Sequence, residues 1–332
     1  MPCCWPFQGN DLESQGGEHA VWQVSAGPFD RSYADQLLNF GVALIGPGDS
    51  GPWRPDRPDN EFEGGFVRRF AAKLRTGDVL LLRMGVSTIG AVGMVASEYE
   101  YLPQFDDVNG WDLQHGRRVR WYTLPEPYDF GKPVFGASPP RFSRVQAARI
   151  VDYANRFVRS PPMDWQTSTL RSLPEEEPVL EAPPSELREI VARVNDLSGL
   201  YLDAESFGER PTEDEMVAHY VVPFLCAMGW PVERIAVKWR NIDVCVFSGL
   251  PRVPDSCHLV IEAKRLGAGV EGALNQAIRY VSTLSLSSDV IVTDGIRYRM
   301  YEARRDFAPI AYANLARLKQ SSLELFERMR RP

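Results

Sequence analysis

Two apolar, strand-like segments of this chain carry charged side chains at positions where a strand would be buried. In residues 241–247 the only charged residue is Asp243, and residues 259–264 end in Glu262, Ala263 and Lys264. Burying a charge costs free energy unless the charge is paired or binds a metal ion. The chain must therefore adopt a fold that brings partners or a metal to these three charges.

The spacing of two of these charges places them on one side of a strand. Glu262 and Lys264 are two residues apart, and alternate residues of a strand project from the same face. Two carboxylates and a lysine that converge there can hold Mg²⁺ and a water beside a phosphodiester. The simpler alternatives are a turn aspartate at Asp243 and a surface ion pair between Glu262 and Lys264, which would contribute little.

The order of these segments resembles that of the PD-(D/E)XK nuclease superfamily, and most of all the branch related to the N-terminal domain of type I restriction-enzyme motor subunits. The resemblance covers roughly residues 212–303. The family's first motif acid, its E-x-K, its helix glutamine and its upstream glutamate are matched by Asp243, by Glu262 and Lys264, by Gln276, and by Glu213. Ile242 stands where the family name has its proline.

The resemblance implies a restriction-endonuclease-like α/β core and a Mg²⁺-dependent endonuclease, with Mn²⁺ as a substitute. Asp243, Glu262 and Glu213 would be the metal ligands, Lys264 would orient or deprotonate the attacking water, and Gln276 would position Lys264 or a phosphate oxygen. Oxygen ligands without a Cys/His cluster favour such metals. Two alternatives stay open: Gln276 as a solvated helix residue, and Glu213 as a first-turn acid of a helix that Thr212 caps.

Composition narrows the class of protein. The 332 residues are 44% hydrophobic and 24% charged, which is typical of a soluble globular protein of about two domains. No apolar run approaches the ~20 residues of a membrane helix, and no secretory signal is visible at the N-terminus. Five cysteines without Cys-x-x-Cys spacing argue against a disulfide framework and structural zinc, so we expect a cytoplasmic location.

The net charge of −7 conceals basic clusters that could contact a nucleic acid. We predict that Arg117, Arg118 and Arg120 contact the nucleic-acid backbone. The alternative for each cluster is an ordinary solvated face.

A proline-rich segment divides the chain. In residues 159–185 prolines alternate with Ser, Thr and Glu, which predicts an extended linker between domains of residues 1–158 and 186–332. Before it, short strands at residues 20–24, 42–45, 79–84, 87–96 and 119–122, with helices at 33–40 and 63–74, predict a small β-barrel with helices.

The first half also resembles the PUA-like, EVE-type domains over roughly residues 19–125, through the order of short motifs at residues 22–27, 41–46, 77–80, 89–93, 98–101 and 118–121. The resemblance implies a pocket for a flipped, modified base, which aromatic rings would stack against. The candidate pocket residues are Trp22, Trp53, Tyr99, Tyr101 and Trp111. Pro47 follows Ile45-Gly46 where family members have an aromatic residue, and Trp22 and Trp121 lie in strand-like sequence typical of a core.

Together the two resemblances imply a two-domain, modification-dependent endonuclease of antiviral defence, similar to type IV restriction enzymes. Its partner would be double-stranded DNA with modified bases, with modified cytosine as the expected modification. A homodimer or higher homo-oligomer would cut this DNA, and no membrane would be involved. Two alternatives stay open: an RNA endonuclease guided by a PUA-like RNA reader, and a non-catalytic sensor of modified nucleic acid. No sequence feature separates DNA from RNA, whereas the complete acid–lysine set argues against the sensor.

Overall fold

The computed structural model describes residues 19–28, 31–48, 51–56, 65–108, 110–160, 171–202, 207–208, 211–266 and 270–330. Within these ranges the chain is a mixed α/β structure with two sheets, one of which curls into a half-barrel. In the same ranges no helix is both long and apolar enough to cross a membrane.

The first sheet is formed by the strands that precede residue 145. Its strands are β1 (Val21–Ser25), β2 (Val42–Ile45), β3 (Val79–Met84), β4 (Thr88–Val95), β5 (Glu100–Tyr101), β6 (His115–Asp129) and β7 (Phe142–Arg144). Their order is β2-β6-β4-β3-β1-β7, with β5 paired to β6 and only β1 and β3 parallel among these pairs. Within the described residues the sheet is open, with β2 and β7 at its edges, so the predicted small barrel is not closed.

Helices pack beside this sheet. They are α1 (Ala34–Phe40), α2 (Phe66–Arg68), which continues as a π-helical turn over Arg69–Lys73, and α3 (Ala148–Arg159). The predicted strands and the first predicted helix are confirmed to within a few residues, although β6 extends well beyond the predicted 119–122. Of the predicted helix at 63–74, residues 63 and 64 lie outside the described residues.

The second sheet is formed by the strands that follow residue 234. They are β8 (Ile235–Trp239), β9 (Ile242–Phe247), β10 (Cys257–Ala263), β11 (Asp289–Thr293), β12 (Arg297–Glu302) and β13 (Ala308–Asn314), adjacent in sequence order. Its helical segments are α4 (Arg188–Leu202), α5 (Glu213–Met216), a π-helical turn (Val217–Val221), α6 (Val222–Ala227), α7 (Leu274–Thr283) and α8 (Ser322–Met329). The parallel strands β10 and β11 are joined through α7, as a βαβ crossover requires.

The central strands of the second sheet are buried on both faces. Val244 and Ile261 belong to an apolar cluster with α4 and the helix that starts at α5, whereas Cys245 and Val260 belong to a cluster with α7. Side chains alternate between faces along a strand, so a strand covered on both sides needs a continuous apolar run. This explains why Asp243 and Glu262 stand out in the sequence.

The described residues of the predicted linker form hydrogen bonds with residues of both halves of the chain. Arg171 N donates to Asn39 O (2.8 Å), while Glu176 pairs with Arg317 (2.6 Å) and Glu177 accepts from Ser321. Residues 171–184 contain no helix. Residues 161–170 of the predicted linker lie outside the described residues.

Candidate functional site

Asp243 and Glu262 lie beside each other on neighbouring strands. The antiparallel register pairs Ile261 of β10 with Val244 of β9, so Glu262 and Asp243 are next in line. Both are almost fully buried, at 5% and 1% exposure. Asp243 Oδ2 accepts a hydrogen bond from Ala263 N (2.8 Å), which fixes the carboxylate against the end of β10.

Lys264 follows directly on β10 and completes the predicted E-x-K. Its Nζ donates to Glu262 Oε1 (2.9 Å) and lies 3.8 Å from Glu213 Oε1. Its backbone N donates to Thr293 O (2.7 Å) at the end of β11, so the lysine is anchored before its side chain begins. The structure thus brings together four of the residues that the sequence singles out: Asp243, Glu262, Lys264 and Glu213.

Glu213 begins α5, and the start of that helix is capped. Thr212 Oγ1 accepts from Glu215 N (3.2 Å), and Glu215 Oε2 accepts from Thr212 N (2.7 Å), which is a capping box. Glu213 is therefore a first-turn acid, as the simpler alternative proposed, and it also faces Lys264. Its role as a metal ligand stays a prediction.

Gln276 lies on α7, the helix that covers the same face of the sheet. Its Nε2 donates to Tyr280 Oη (3.2 Å), one turn further along the helix. Its predicted role in positioning Lys264 or a phosphate oxygen stays a prediction.

A second lysine, Lys238, belongs to this site, although no motif in the sequence marks it. Lys238, near the end of β8, places its Nζ 2.8 Å from Asp243 Oδ1 and 2.9 Å from Asp214 Oδ1. Hydrogen bonds to these two carboxylates, Asp243 first, raise the pKa of Lys238 above its usual value. Lys238, near the end of β8, and Arg240 and Asn241, in the turn to β9, have positive φ. No spacing rule reveals such a backbone conformation.

The surroundings of Glu262 disfavour the ionised form of its carboxyl group. Burial, followed by the neighbouring charge of Asp243, raises the pKa of Glu262 to about 7. Its Oε2 is buried and accepts no hydrogen bond from the residues that the structure describes. A buried carboxylate oxygen without a donor is unfavourable. A cation between Glu262 and Asp243 would remove both penalties.

The donor set fits one kind of metal. In the described part of the chain no three His, Cys, Asp or Glu side chains are gathered into a metal-binding group. Asp243 and Glu262, next to each other on paired strands, nevertheless offer two neighbouring carboxylates. Mg²⁺ usually keeps several waters and takes one or two protein carboxylates plus substrate phosphate. The residues therefore fit a hydrated divalent cation that prefers oxygen ligands, such as Mg²⁺ or Mn²⁺, and Ca²⁺ can bind the same carboxylates together with waters.

Three of the predicted pocket aromatics gather in the first half, and a histidine joins them. Trp53 and Tyr99 pack edge to face with centroids 6.3 Å apart, and His115 lies 5.9 Å from Tyr99 and 5.6 Å from Tyr101. The first three are half-buried and His115 is buried. Sequence analysis missed His115, whose only signal is its place at the start of β6, paired with Tyr101.

Hydrogen bonds tie this cluster to the loop that follows β2. Burial lowers the pKa of His115 to about 4, so the ring is neutral near pH 7. Its Nε2 therefore donates to Pro47 O (2.8 Å), and its Nδ1 accepts from Tyr99 Oη (2.7 Å). Tyr101 Oη donates to Gly48 O (2.7 Å). We call Trp53, Tyr99, Tyr101 and His115 the aromatic cluster.

Two predicted pocket residues are placed elsewhere. Trp22 is a core residue: it stacks on Phe142 at 5.0 Å, and its Nε1 donates to the buried Asp78 (2.9 Å). This corrects its assignment to the pocket. Trp111 lies under the Arg31 guanidinium, which also contacts Tyr301 of the second sheet, so Trp111 belongs to the contact between the two sheets.

The three arginines of the basic cluster on β6 differ in how exposed they are. Arg117 is buried, and its guanidinium donates to the carbonyls of Phe70, Ala71 and Leu74 at the end of the π-helical turn. This corrects its assignment as a backbone contact, because no part of it faces solvent. Arg118 pairs with Glu100 (3.1 Å) and is partly exposed, while Arg120 is exposed, so both stay candidates.

Comparisons with known proteins give distant similarities. A domain family of unknown function, DUF8426, matches residues 22–133. No curated protein matches. Among solved structures, the fragment of a putative HsdR subunit of a type I restriction enzyme from Vibrio vulnificus YJ016 is similar over 36% of this chain, at 21% identity and a TM-score of 0.24. This chain spans 25% of the length of that relative.

Proposed function

We propose that this chain is a metal-dependent nuclease that cuts DNA containing a modified base. The observation that carries the proposal is the pairing of Asp243 and Glu262 at the end of two buried strands, with Lys264 on Glu262. Glu262 Oε2 has no donor among the described residues, which supports a cation as the group that would complete this arrangement. A purely structural ion pair would not need a second buried acid beside it.

The chain's own residues supply geometry and charge. Asp243 Oδ1 and Glu262 Oε2 would hold Mg²⁺, which when bound polarises a water and offsets charge that develops at phosphorus. Lys264 Nζ, held between Glu262 and Glu213, would orient that water as an ammonium or, after losing a proton of its own to solvent, take a proton from it. Because Ala263 N–H fixes Asp243, the acids keep their places when substrate enters.

The aromatic cluster would be the site that detects the modified base. An extruded base loses stacking and pairing, worth a few kcal/mol, and each aromatic face recovers ~1–3 kcal/mol. Trp53, at the edge of the cluster and half-buried, has the large face for this contact. Arg118 and Arg120 would attract the backbone of the same DNA. Cutting both strands with one site per chain implies two chains on the DNA.

The test is a cleavage assay of the full chain in Mg²⁺ on phage DNAs that carry different cytosine modifications, with unmodified DNA and RNA in parallel. Asp243→Asn removes a proposed ligand, and Asp255→Asn is the matched control because Asp255 is exposed on a turn. We expect cleavage of a modified DNA by the wild type and by Asp255→Asn, but not by Asp243→Asn. Cleavage of RNA alone would favour an RNA endonuclease, and binding without any cleavage would favour a sensor.

A further inference from the structure

Lys238, which no motif in the sequence marks, binds the carboxylate oxygen of Asp243 that Ala263 N does not bind. Asp243 Oδ2 already accepts from Ala263 N (2.8 Å), whereas Oδ1 accepts from Lys238 Nζ (2.8 Å). A metal bound between Asp243 and Glu262 would reach Asp243 most readily through Oδ1, because the β10 backbone already holds Oδ2. Lys238 and the metal therefore compete for the same atom.

The two partners of this contact differ in how easily they can move. The Asp243 side chain is 7% exposed and held by the β10 backbone, while the Lys238 side chain is 48% exposed and its second partner, Asp214, is 74% exposed. An ammonium that leaves toward solvent keeps its hydration, and the exposed pair with Asp214 holds it weakly. Displacement by a metal thus moves Lys238 and leaves Asp243 in place.

The charges of the site favour a divalent cation as the displacing group. Four acids, Glu213, Asp214, Asp243 and Glu262, face two lysines, Lys238 and Lys264. When all six are ionised the acids are in excess, and a divalent cation offsets that excess. The turn that carries Lys238 also presents the exposed Arg240, whose guanidinium lies over Trp239 at 4.6 Å. A freed Lys238 would therefore extend a positive turn at the mouth of the site.

We propose that Lys238 is an internal counter-ion of the metal site: its ammonium holds Asp243 Oδ1 until a divalent cation displaces it, and the displaced ammonium then contacts a phosphate of the substrate. The inference rests on the proposed function, because it needs the metal site. It implies that metal and DNA bind cooperatively. Metal frees the lysine that DNA uses, and by linkage DNA strengthens metal binding to the same extent.

The first experiment measures Ca²⁺ binding to the full chain by calorimetry, without DNA, so that no cleavage is needed. Lys238→Met keeps the length of the side chain and removes its charge. Lys132→Met is the matched control, because Lys132 is exposed in the first half of the chain. We expect Lys238→Met to bind Ca²⁺ about three- to tenfold more tightly than the wild type, which is the range for losing one partly exposed charged contact. Lys132→Met should bind as the wild type does.

The second experiment measures DNA affinity with and without Ca²⁺. In the wild type Ca²⁺ should tighten DNA binding, and in Lys238→Met this factor should shrink toward the part due to the metal's own charge. Circular dichroism of each variant checks that the fold is retained, and Lys238→Gln repeats the test with a shorter neutral side chain. Unchanged or weaker Ca²⁺ binding by both neutral variants would overturn the inference.

Asp243→Asn separates this inference from the proposed function. If Asp243→Asn loses Ca²⁺ binding while the Lys238 variants bind no more tightly than the wild type, the metal site stands and the counter-ion role fails. If the wild type binds no Ca²⁺, or Asp243→Asn binds it as well as the wild type does, both the metal site and the counter-ion role fail.

Discussion

The Arg297 guanidinium and the Asp112 carboxylate form an ion pair that is buried between the two sheets. Asp112 Oδ2 also accepts from Gly48 N (2.9 Å), in the loop that the aromatic cluster holds. Arg297 also donates to Asp294 (2.9 Å), which follows Thr293, whose carbonyl accepts from Lys264 N. Continuous contacts therefore join the loop of the aromatic cluster to the backbone of Lys264.

This buried pair should contribute strongly to stability. Arg297→Met leaves Asp112 and Asp294 without their shared cation, and breaking a buried pair in this way costs about 3–5 kcal/mol. The free energy of unfolding in urea measures the loss. Arg328→Met is the control, because its pair with Glu324 is half-exposed and such pairs contribute about 0–1 kcal/mol. Equal losses in the two variants would contradict the assignment of Arg297 as a buried link.

Glu262 should make stability depend on pH in a defined direction. Its pKa is raised to about 7 in the folded chain, so its contribution to stability is complete below about 4.5 and is lost as the pH rises through about 7. Without metal, the unfolding free energy of the wild type relative to Glu262→Gln should fall on the order of 3 kcal/mol between pH 4.5 and 8. A constant difference across this range would mean that burial does not raise the pKa of Glu262.

The affinity of the site for a metal ion should rise with pH, whereas the contribution of Glu262 to stability falls. A ligating carboxylate must be ionised, so Ca²⁺ binding should strengthen as the pH rises through about 7 and release protons. Cleavage should require Mg²⁺ or Mn²⁺, and Ca²⁺ should support DNA binding without cutting. Calorimetry in buffers of different ionisation enthalpy measures the released protons, and full cleavage in excess EDTA would rule out the metal requirement.

The aromatic cluster should determine the preference for modified DNA. Trp53→Ala should lower the preference by ~1–3 kcal/mol, the value of one stacked base, while Arg118 and Arg120 preserve overall affinity. Trp111→Ala should act through the contact between the sheets instead, since Trp111 lies against Arg31. Titrations of matched duplexes that differ only in the modification measure both variants. Wild-type preference in Trp53→Ala would exclude this face from the pocket.

The parts of the structure that the sequence predicts are those that rest on local patterns. Alternating or continuous apolar runs locate most strands of the first sheet and the two central strands of the second, and the two-residue spacing places Glu262 and Lys264 on one face. Residues 148–159 form a helix and residues 235–239 form a strand, and neither was predicted. The helix does have an amphipathic pattern, with Ile150, Ala154 and Phe157 buried on one face, so the sequence carries a signal for it. The strand is short and is stabilised by its pairing with β9.

The rest depends on contacts between residues far apart in sequence. From the sequence, Arg117 is a candidate surface charge, but the backbone carbonyls around residue 71 surround it in the structure. Trp22 is a candidate pocket residue, but Asp78 and Phe142 enclose it. The contact between Lys238 and Asp243 is local, but it needs the pairing of β8 with β9, and β8 was not predicted. No spacing in one sequence encodes such pairings, because they follow from how the sheets and loops pack.

The most direct test of the proposed nuclease site is the single-turnover rate of strand cleavage by Lys264→Ala and Asp243→Ala, on a DNA that the wild type cuts. DNA binding in Ca²⁺ and circular dichroism show that each variant is folded and engages its substrate. We predict that each variant loses about a hundredfold or more in cleavage rate, as expected for removal of a residue that positions a reacting proton or a metal. Cleavage at the wild-type rate by either variant would contradict the assignment of this site.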